Sequence, residues 1–391
     1  MTGGRGRVLA HAARAVQGVV LAMLACAACA AEPPGCVKAA DLGAPRALPA
    51  ASADSLLPVQ LRMEVPVAPA PLPSMGRSYL YYELHLQSFS SEAMMLISVE
   101  TIVPGARTDE ARVIARSPAQ VRELGPRQGA VVFLCLAFDG AVPVPDNIQH
   151  RVLLADGTAV AGAPLAVVRG PLPVLGAPLA GPGWTAGNGP SLEAHHRIGV
   201  LVLDGRPWLA RRYAIDWKKY RNGRSYAGDA RDVHSYFAYG EKVFAVADGM
   251  VVVAQDGQPD NVPRTAIGFT PAVPLTMENL GGNMVTLGLG GGRFATYAHL
   301  QPGSVRVQAG DRVRRGQWLG RIGGSGDARE PHLHFQVTDG PAILASEGLP
   351  YVLDRYHLGG QTGGAAERRH EFPLGEPEVD FAKEVNDERT Q

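Results

Sequence analysis

Glu330-Pro331-His332-Leu333-His334-Phe335-Gln336-Val337 places two histidines two residues apart inside a strand-like apolar run. In an extended strand the side-chain period is two, so His332 and His334 point to one face. Two imidazoles on one face of a rigid strand can divide the work of a catalytic metal site: one binds the ion while its neighbour handles a proton. A lone His-x-His is equally compatible with an ordinary surface or core pair, so other segments must decide. Upstream stand Tyr297-Ala298-His299-Leu300, at the end of an apolar run, and Arg212-Tyr213-Ala214-Ile215-Asp216.

Between these lie Lys242-Val243-Phe244-Ala245-Val246-Ala247-Asp248-Gly249-Met250-Val251-Val252 and Gly310-Asp311-Arg312-Val313-Arg314-Arg315-Gly316-Gln317-Trp318-Leu319-Gly320. From about Arg212 to Val337, the order of these motifs resembles the lysostaphin-type (LytM-like) zinc endopeptidases, which cut peptide cross-links in peptidoglycan. The resemblance implies a zinc cofactor with Asp216 and His334 as ligands. It also implies that His299 and His332 flank the metal, orienting the attacking water and stabilising the tetrahedral oxyanion. One residue departs from the pattern: the family's first zinc ligand is a His four residues before the Asp, and here Arg212 stands there. Arginine stays protonated and has no lone pair to offer, so it cannot ligate zinc.

A replacement imidazole is available upstream. His195 and His196 precede the run Ile198 to Leu203, and Asp204-Gly205 is a hairpin signal before Trp208. If Leu203 pairs with Trp208, Asp216 lies opposite His195, and a register shift of one brings His196 there instead. The alternative is that the two histidines merely mark the start of the domain. His234, with Asp229 and Asp232, is a loop alternative whose position no pairing sets. Arg212 itself, on Asp216's face of an extended strand, either forks onto Asp216 in place of a metal or binds a substrate carboxylate.

The elements that must carry these residues are β-rich. Val243 to Ala254, Met284 to Leu289, Arg293 to His299 and His332 to Thr338 alternate with Gly-rich turns, and Trp217 to Phe237 and Gly257 to Leu280 look like inserted loops. The expected fold class is mainly β: an immunoglobulin-like sandwich followed by a lysostaphin-type (duplicated hybrid motif) domain. The expected boundaries are a signal peptide over 1–30, a Pro/Ala-rich lead-in over 31–75, the sandwich over 76–170, a Pro/Gly linker over 171–190, the metallopeptidase domain over 191–358 and a flexible tail over 359–391. Within that tail, Glu371-Phe372-Pro373-Leu374 is an apolar patch able to dock back. His85 and His150 fall at sandwich strand positions as ordinary strand residues.

Lys+Arg and Asp+Glu number 37 each in 391 residues, a balance that argues against a nucleic-acid footprint or a polybasic membrane surface. Arg5, Arg7 and Arg14, the apolar core from Val19 and the small-x-small Ala28-Cys29-Ala30 form an export signal. No later run is long enough to span a bilayer, so the mature chain is expected in the periplasm or cell envelope, with lipidation at Cys26 or Cys29 as an alternative. Cys36 and Cys135 then either form a disulfide or leave Cys135 as a small buried hydrophobe. Two function classes follow: an exported zinc endopeptidase acting on peptidoglycan, or a catalytically degenerate module of the same fold that binds cell wall or a cell-wall hydrolase. The Asp216/His299/His332/His334 set favours the first, and Arg212 favours the second.

Overall fold

Tyr79, Tyr81, Glu83 and His85 alternate with Leu80, Tyr82, Leu84 and Leu86 along a strand, Arg77–Ser88, that is buried on both faces over most of its length. A strand covered on both sides loses the polar alternation of a half-exposed one, and this strand is the seam of the molecule. The computed structural model describes residues 33, 36–39, 46–47, 58–104, 110–359 and 366–383; the expected signal peptide and Cys26 and Cys29 lie outside these residues. The fold is almost entirely β, and the part from Glu32 onward forms one compact unit.

On one side of the seam, Arg77–Ser88 pairs with Leu61–Glu64, Leu72–Ser74 and Gly129–Asp139. A second sheet is built around Met94–Pro104, flanked by Glu110–Pro118 and Asn147–Leu154. The two sheets share a core that includes Leu80, Leu84, Val99, Val132, Ile148 and Val152. Cys36 and Cys135 are disulfide-bonded where Val37–Lys38 joins Gly129–Asp139 in parallel. His150 is buried and hydrogen-bonded to the Tyr82 hydroxyl at 3.1 Å.

On the other side lies an eleven-stranded sheet. Its central order runs Trp184–Gly187, Ile215–Lys219, Leu333–Thr338, Arg293–Leu300, Asn283–Gly290, Gly249–Gln255. Tyr79 and Tyr81 pack into its core together with Trp184, Trp217, Tyr297 and Phe335. Period two therefore sends one face of the Arg77–Ser88 strand to each core.

Several expected boundaries do not hold. The Pro/Gly-rich 171–190 segment is not a free linker: Val174–Leu175 and Trp184–Gly187 are strands of the large sheet, and Leu175, Leu179 and Trp184 are buried in its core. Composition there marks the turns and hides the large apolar residues between them. The tail is likewise part of the sheet over 366–383, where Glu367–Glu371 pairs with Val352–Leu358 and Glu378–Asp380 pairs with both Val352–Leu358 and Trp184–Gly187. Burial of Phe372 and Phe381 offsets the ordering cost that its charged composition implied. Strands at Leu61–Glu64 and Leu72–Ser74 sit inside the expected lead-in.

The hairpin after His196 forms with a different register. Leu201 pairs with Trp208 and Leu203 with Arg206, around a two-residue Asp204-Gly205 turn in which both residues have positive φ. That is the tight turn an Asp-Gly pair favours, and a Leu203–Trp208 pairing would have needed a longer loop. The chain then turns through residues 209–214, so Asp216 lies in a separate strand, Ile215–Lys219, opposite Gly187 on one side and His334 on the other.

Candidate metal centre

Asp216 lies directly opposite His334 in the antiparallel pair of Ile215–Lys219 and Leu333–Thr338, and Ala298 lies opposite His334 from the other side. Opposed residues share a face, so three strands deliver their chemistry to one place. The His334 Nδ1 stands 2.9 Å from Asp216 Oδ1, and His332 Nε2 stands 3.3 Å from the same oxygen. His299 arrives differently. Simple alternation past Ala298 would turn it away, but pairing with Asn283–Gly290 is irregular there and His299 adopts φ +64°. A left-handed residue at a strand irregularity re-aims its side chain, and the His299 ring lies 4.9 Å from that of His332 and 5.8 Å from that of His334.

His195 and His196 sit on a short helical turn, His195–Ile198. His196 is buried, with Nε2 3.5 Å from Asp216 Oδ2 and its ring 4.9 Å from, and nearly perpendicular to, that of His334. His195 is exposed at the mouth. One donor atom each from His195, His196 and Asp216 fall within 4.8 Å of one another. An imidazole thus reaches Asp216 where Arg212 has none, by a helical turn rather than by the expected strand pairing. His234 stays on its own turn, bonded to Asp232.

Arg212 corrects the expectation most sharply. It binds no substrate-facing space and does not touch Asp216. Its guanidinium forks onto Glu83 at 2.7 and 3.0 Å, reaches Glu347 at 2.9 Å and donates to the Gly348 carbonyl at 2.8 Å. Arg197 closes the same cluster on Glu83 and on the Tyr82 carbonyl at 2.9 Å. Burial opposes the Glu83 charge, but the two guanidiniums outweigh it and hold its pKa below the usual range. The reason for the misplacement is the turn at 209–214, which breaks the strand alternation assumed for Arg212 and Asp216.

Whether the residues fit a metal is decided by their tautomers. Gln336 Nε2 donates to the Ile343 carbonyl at 2.9 Å, so its Oε1 faces His334 Nε2, also at 2.9 Å, and takes that proton. His332 Nδ1 donates to the Glu330 carbonyl at 2.7 Å, and His299 Nδ1 to the Ser325 carbonyl at 2.9 Å. Partners of this kind set the nitrogen that a metal-binding imidazole presents. In their neutral forms His332 and His334 would both turn lone pairs to one carboxylate oxygen, an arrangement that a proton or a metal ion between them relieves. His196 Nδ1 is buried without a hydrogen-bond partner. Buried His196, Asp216 and His334 thus fit as ligands, with Asn188 Nδ2 steadying Asp216 Oδ2 at 2.7 Å.

Burial opposes ionisation of Asp216, yet His196, His332 and His334 hold its carboxyl well below the ordinary range. Burial lowers His196 to about 3 and pushes His299 well below its usual value, with His332 and His334 adding to the latter. His332 moves up, because Asp216 outweighs its burial. The cavity enclosing these groups measures about 360 Å³ and is also lined by Arg211, Lys218, Arg329 and Leu280. Sequence reasoning missed Gln336, Asn188 and Arg211. Gln336 was findable, two residues beyond His334 and so on its face; Asn188 was hidden in the Pro/Gly-rich segment.

A β fold with an Asp and converging imidazoles on a central sheet is the architecture expected of the peptidase resemblance. Residues 233–343 match Peptidase family M23, and that segment is M23-like. The "Cell division protein DipM" of Caulobacter vibrioides is 34% identical over 62 residues, 16% of this chain, and the chain spans 10% of that protein's length. Among solved structures, a zinc containing peptidase from Vibrio cholerae is 15% identical, covering 76% of this chain and 86% of its own, at TM-score 0.21. Csd3 of Helicobacter pylori is 13% identical, covering 75% and 74%, at TM-score 0.22.

Proposed function

We propose that the chain is an exported zinc metalloendopeptidase that hydrolyses peptide bonds in peptidoglycan stem peptides or cross-links. The observation that supports this reading best is the convergence of His332 Nε2 and His334 Nδ1 on Asp216 Oδ1, at 3.3 and 2.9 Å, with buried His196 beside them, a donor set that suits a metal ion. His196, Asp216 and His334 would hold zinc, with His195 at the mouth. When bound, zinc supplies hydroxide near neutral pH and polarises the scissile carbonyl. His299 and His332 are each held at Nδ1 by a backbone carbonyl, which leaves the other ring nitrogen for proton transfer. Either can take a proton from the attacking water and return it to the leaving amine. The buried pocket restricts bulk water around these transfers.

Metal analysis of the purified mature protein, followed by digestion of purified peptidoglycan and mass spectrometry of the products, tests the proposal. Stoichiometric zinc and new peptide termini that vanish with chelator are the expected result. A second reading, a non-cutting wall-binding or hydrolase-activating module, is favoured by the loss of the usual histidine at position 212; zinc-free protein that retains wall binding would support it. Export is part of the proposal and accords with the Cys36–Cys135 bond, since disulfides persist in oxidising compartments. N-terminal sequencing should find a start near residue 31. Among the described residues no helix is long and apolar enough to cross a membrane.

A further inference from the structure

One cation of the cavity serves neither the fold nor the proposed metal chemistry. Arg211 lines the cavity and is partly buried; its carbonyl accepts from the Ala214 N–H at 3.1 Å, but among the described residues its guanidinium makes no hydrogen bond or ion pair. Burial works against its charge, while Asp216 and Asp327 favour it, so a guanidinium has lost hydration without gaining a direct partner. Gly199 makes the space: its φ of −83° is open to any residue, yet a Cβ there would lie 2.5 Å from Arg211 Nη2 and 2.8 Å from the His195 carbonyl oxygen. The guanidinium therefore rests against the turn that carries His195 and His196.

The other charges of the cavity are differently engaged. Lys218 is paired with Glu330 at 2.7 Å, and Glu330 also receives Arg264 at 3.0 Å. Asp327 and Arg329 are exposed, the latter 6.0 Å from the Phe269 ring centre.

We infer that Arg211 binds a carboxylate of the peptide substrate beside the metal centre. The identity of the ligand as a peptide rests on the peptidase reading; the anion site itself rests on Arg211. A planar guanidinium offers two parallel N–H donors to the two oxygens of a carboxylate, and partial burial strengthens the pair. A peptide supplies that group from its chain terminus or from an acidic side chain.

Three short peptides separate the cases: one with a free C-terminal carboxylate and neutral side chains, one C-terminally amidated with a glutamate, and one amidated with a glutamine. Binding by calorimetry and cleavage by mass spectrometry are followed in the mature full chain, zinc-loaded and chelator-stripped. In the wild type one carboxylate peptide should bind about 10- to 100-fold more tightly than the glutamine peptide, whichever of the two marks the source. Arg211→Ala should reduce that ratio to within about twofold, and Arg211→Lys should keep part of it, in both metal states. A wild-type ratio near one, a ratio unchanged in Arg211→Ala, or no binding of either carboxylate peptide would overturn the inference. Binding preference without cleavage would sink the peptidase reading and leave the anion site standing; cleavage without preference would do the reverse.

Discussion

The Glu83 cluster and the Asp216 cluster are both knots of buried charge, and two pairs of adjacent residues join them. His196 faces Asp216 while Arg197 reaches Glu83, and Arg211 lines the cavity while Arg212 reaches Glu83. The sealed cluster balances charge: Arg197 and Arg212 face Glu83 and Glu347, with backbone carbonyls taking further protons and Arg197 Nε left without a partner. The other cluster gathers imidazoles around one carboxylate and opens to a cavity. Complementary charge makes the first a structural joint, whereas the second is the donor set of the proposed metal site. The joint also pins both segments that supply the pocket, so the Glu83 strand acts on the site without touching it.

The largest expected effect comes from breaking the joint. Glu83→Ala leaves two buried guanidiniums without their shared partner and should cost about 3–5 kcal/mol in denaturant unfolding. A loss under about 1 kcal/mol would mean the cluster is more solvated than its burial indicates. Arg212→His sharpens the same point: the new imidazole would face Glu83, so zinc affinity should not rise. A gain in zinc affinity would show that position 212 can reach the pocket after all.

In the open cluster, His196→Ala should weaken zinc binding by roughly two to three orders of magnitude, since a site worth about 10–16 kcal/mol in all gives each of its few ligands about 3–4. Competition with a chelator measures this, and an unchanged constant would remove His196 from the ligand set.

Acid should act on the sandwich side separately from the pocket. Burial lowers His150 to about 4. A histidine whose folded value lies below its unfolded one stabilises the fold above the unfolded value, near 6.5, and that stability is lost as pH falls through the folded value. The loss should approach about 3 kcal/mol between neutral pH and pH 4. Unfolding curves of the wild type and His150→Gln should converge in slope if another group dominates that window. The smallest effect belongs to His195→Ala, whose exposed ring should change zinc affinity by less than about tenfold.

What the sequence determined by itself was local. The common face of His332 and His334 follows from strand period, and the Asp204-Gly205 turn from its two residue types; the order of motifs carried the family resemblance of the 233–343 segment. The strands hidden in the 171–190 and 366–383 segments were not legible, because turn residues and charges dominate their composition while Trp184, Phe372 and Phe381 supply the burial. Only tertiary structure decided which imidazole reaches Asp216 and which arginine faces the cavity. His196 reaches Asp216 through a four-residue helical turn held by Arg197, and the bend at 209–214 turns Arg212 inward and Arg211 to the pocket. Both outcomes depend on Glu83, more than a hundred residues away in sequence from each guanidinium it binds. A charge so distant along the chain leaves no periodicity in the segments it orients.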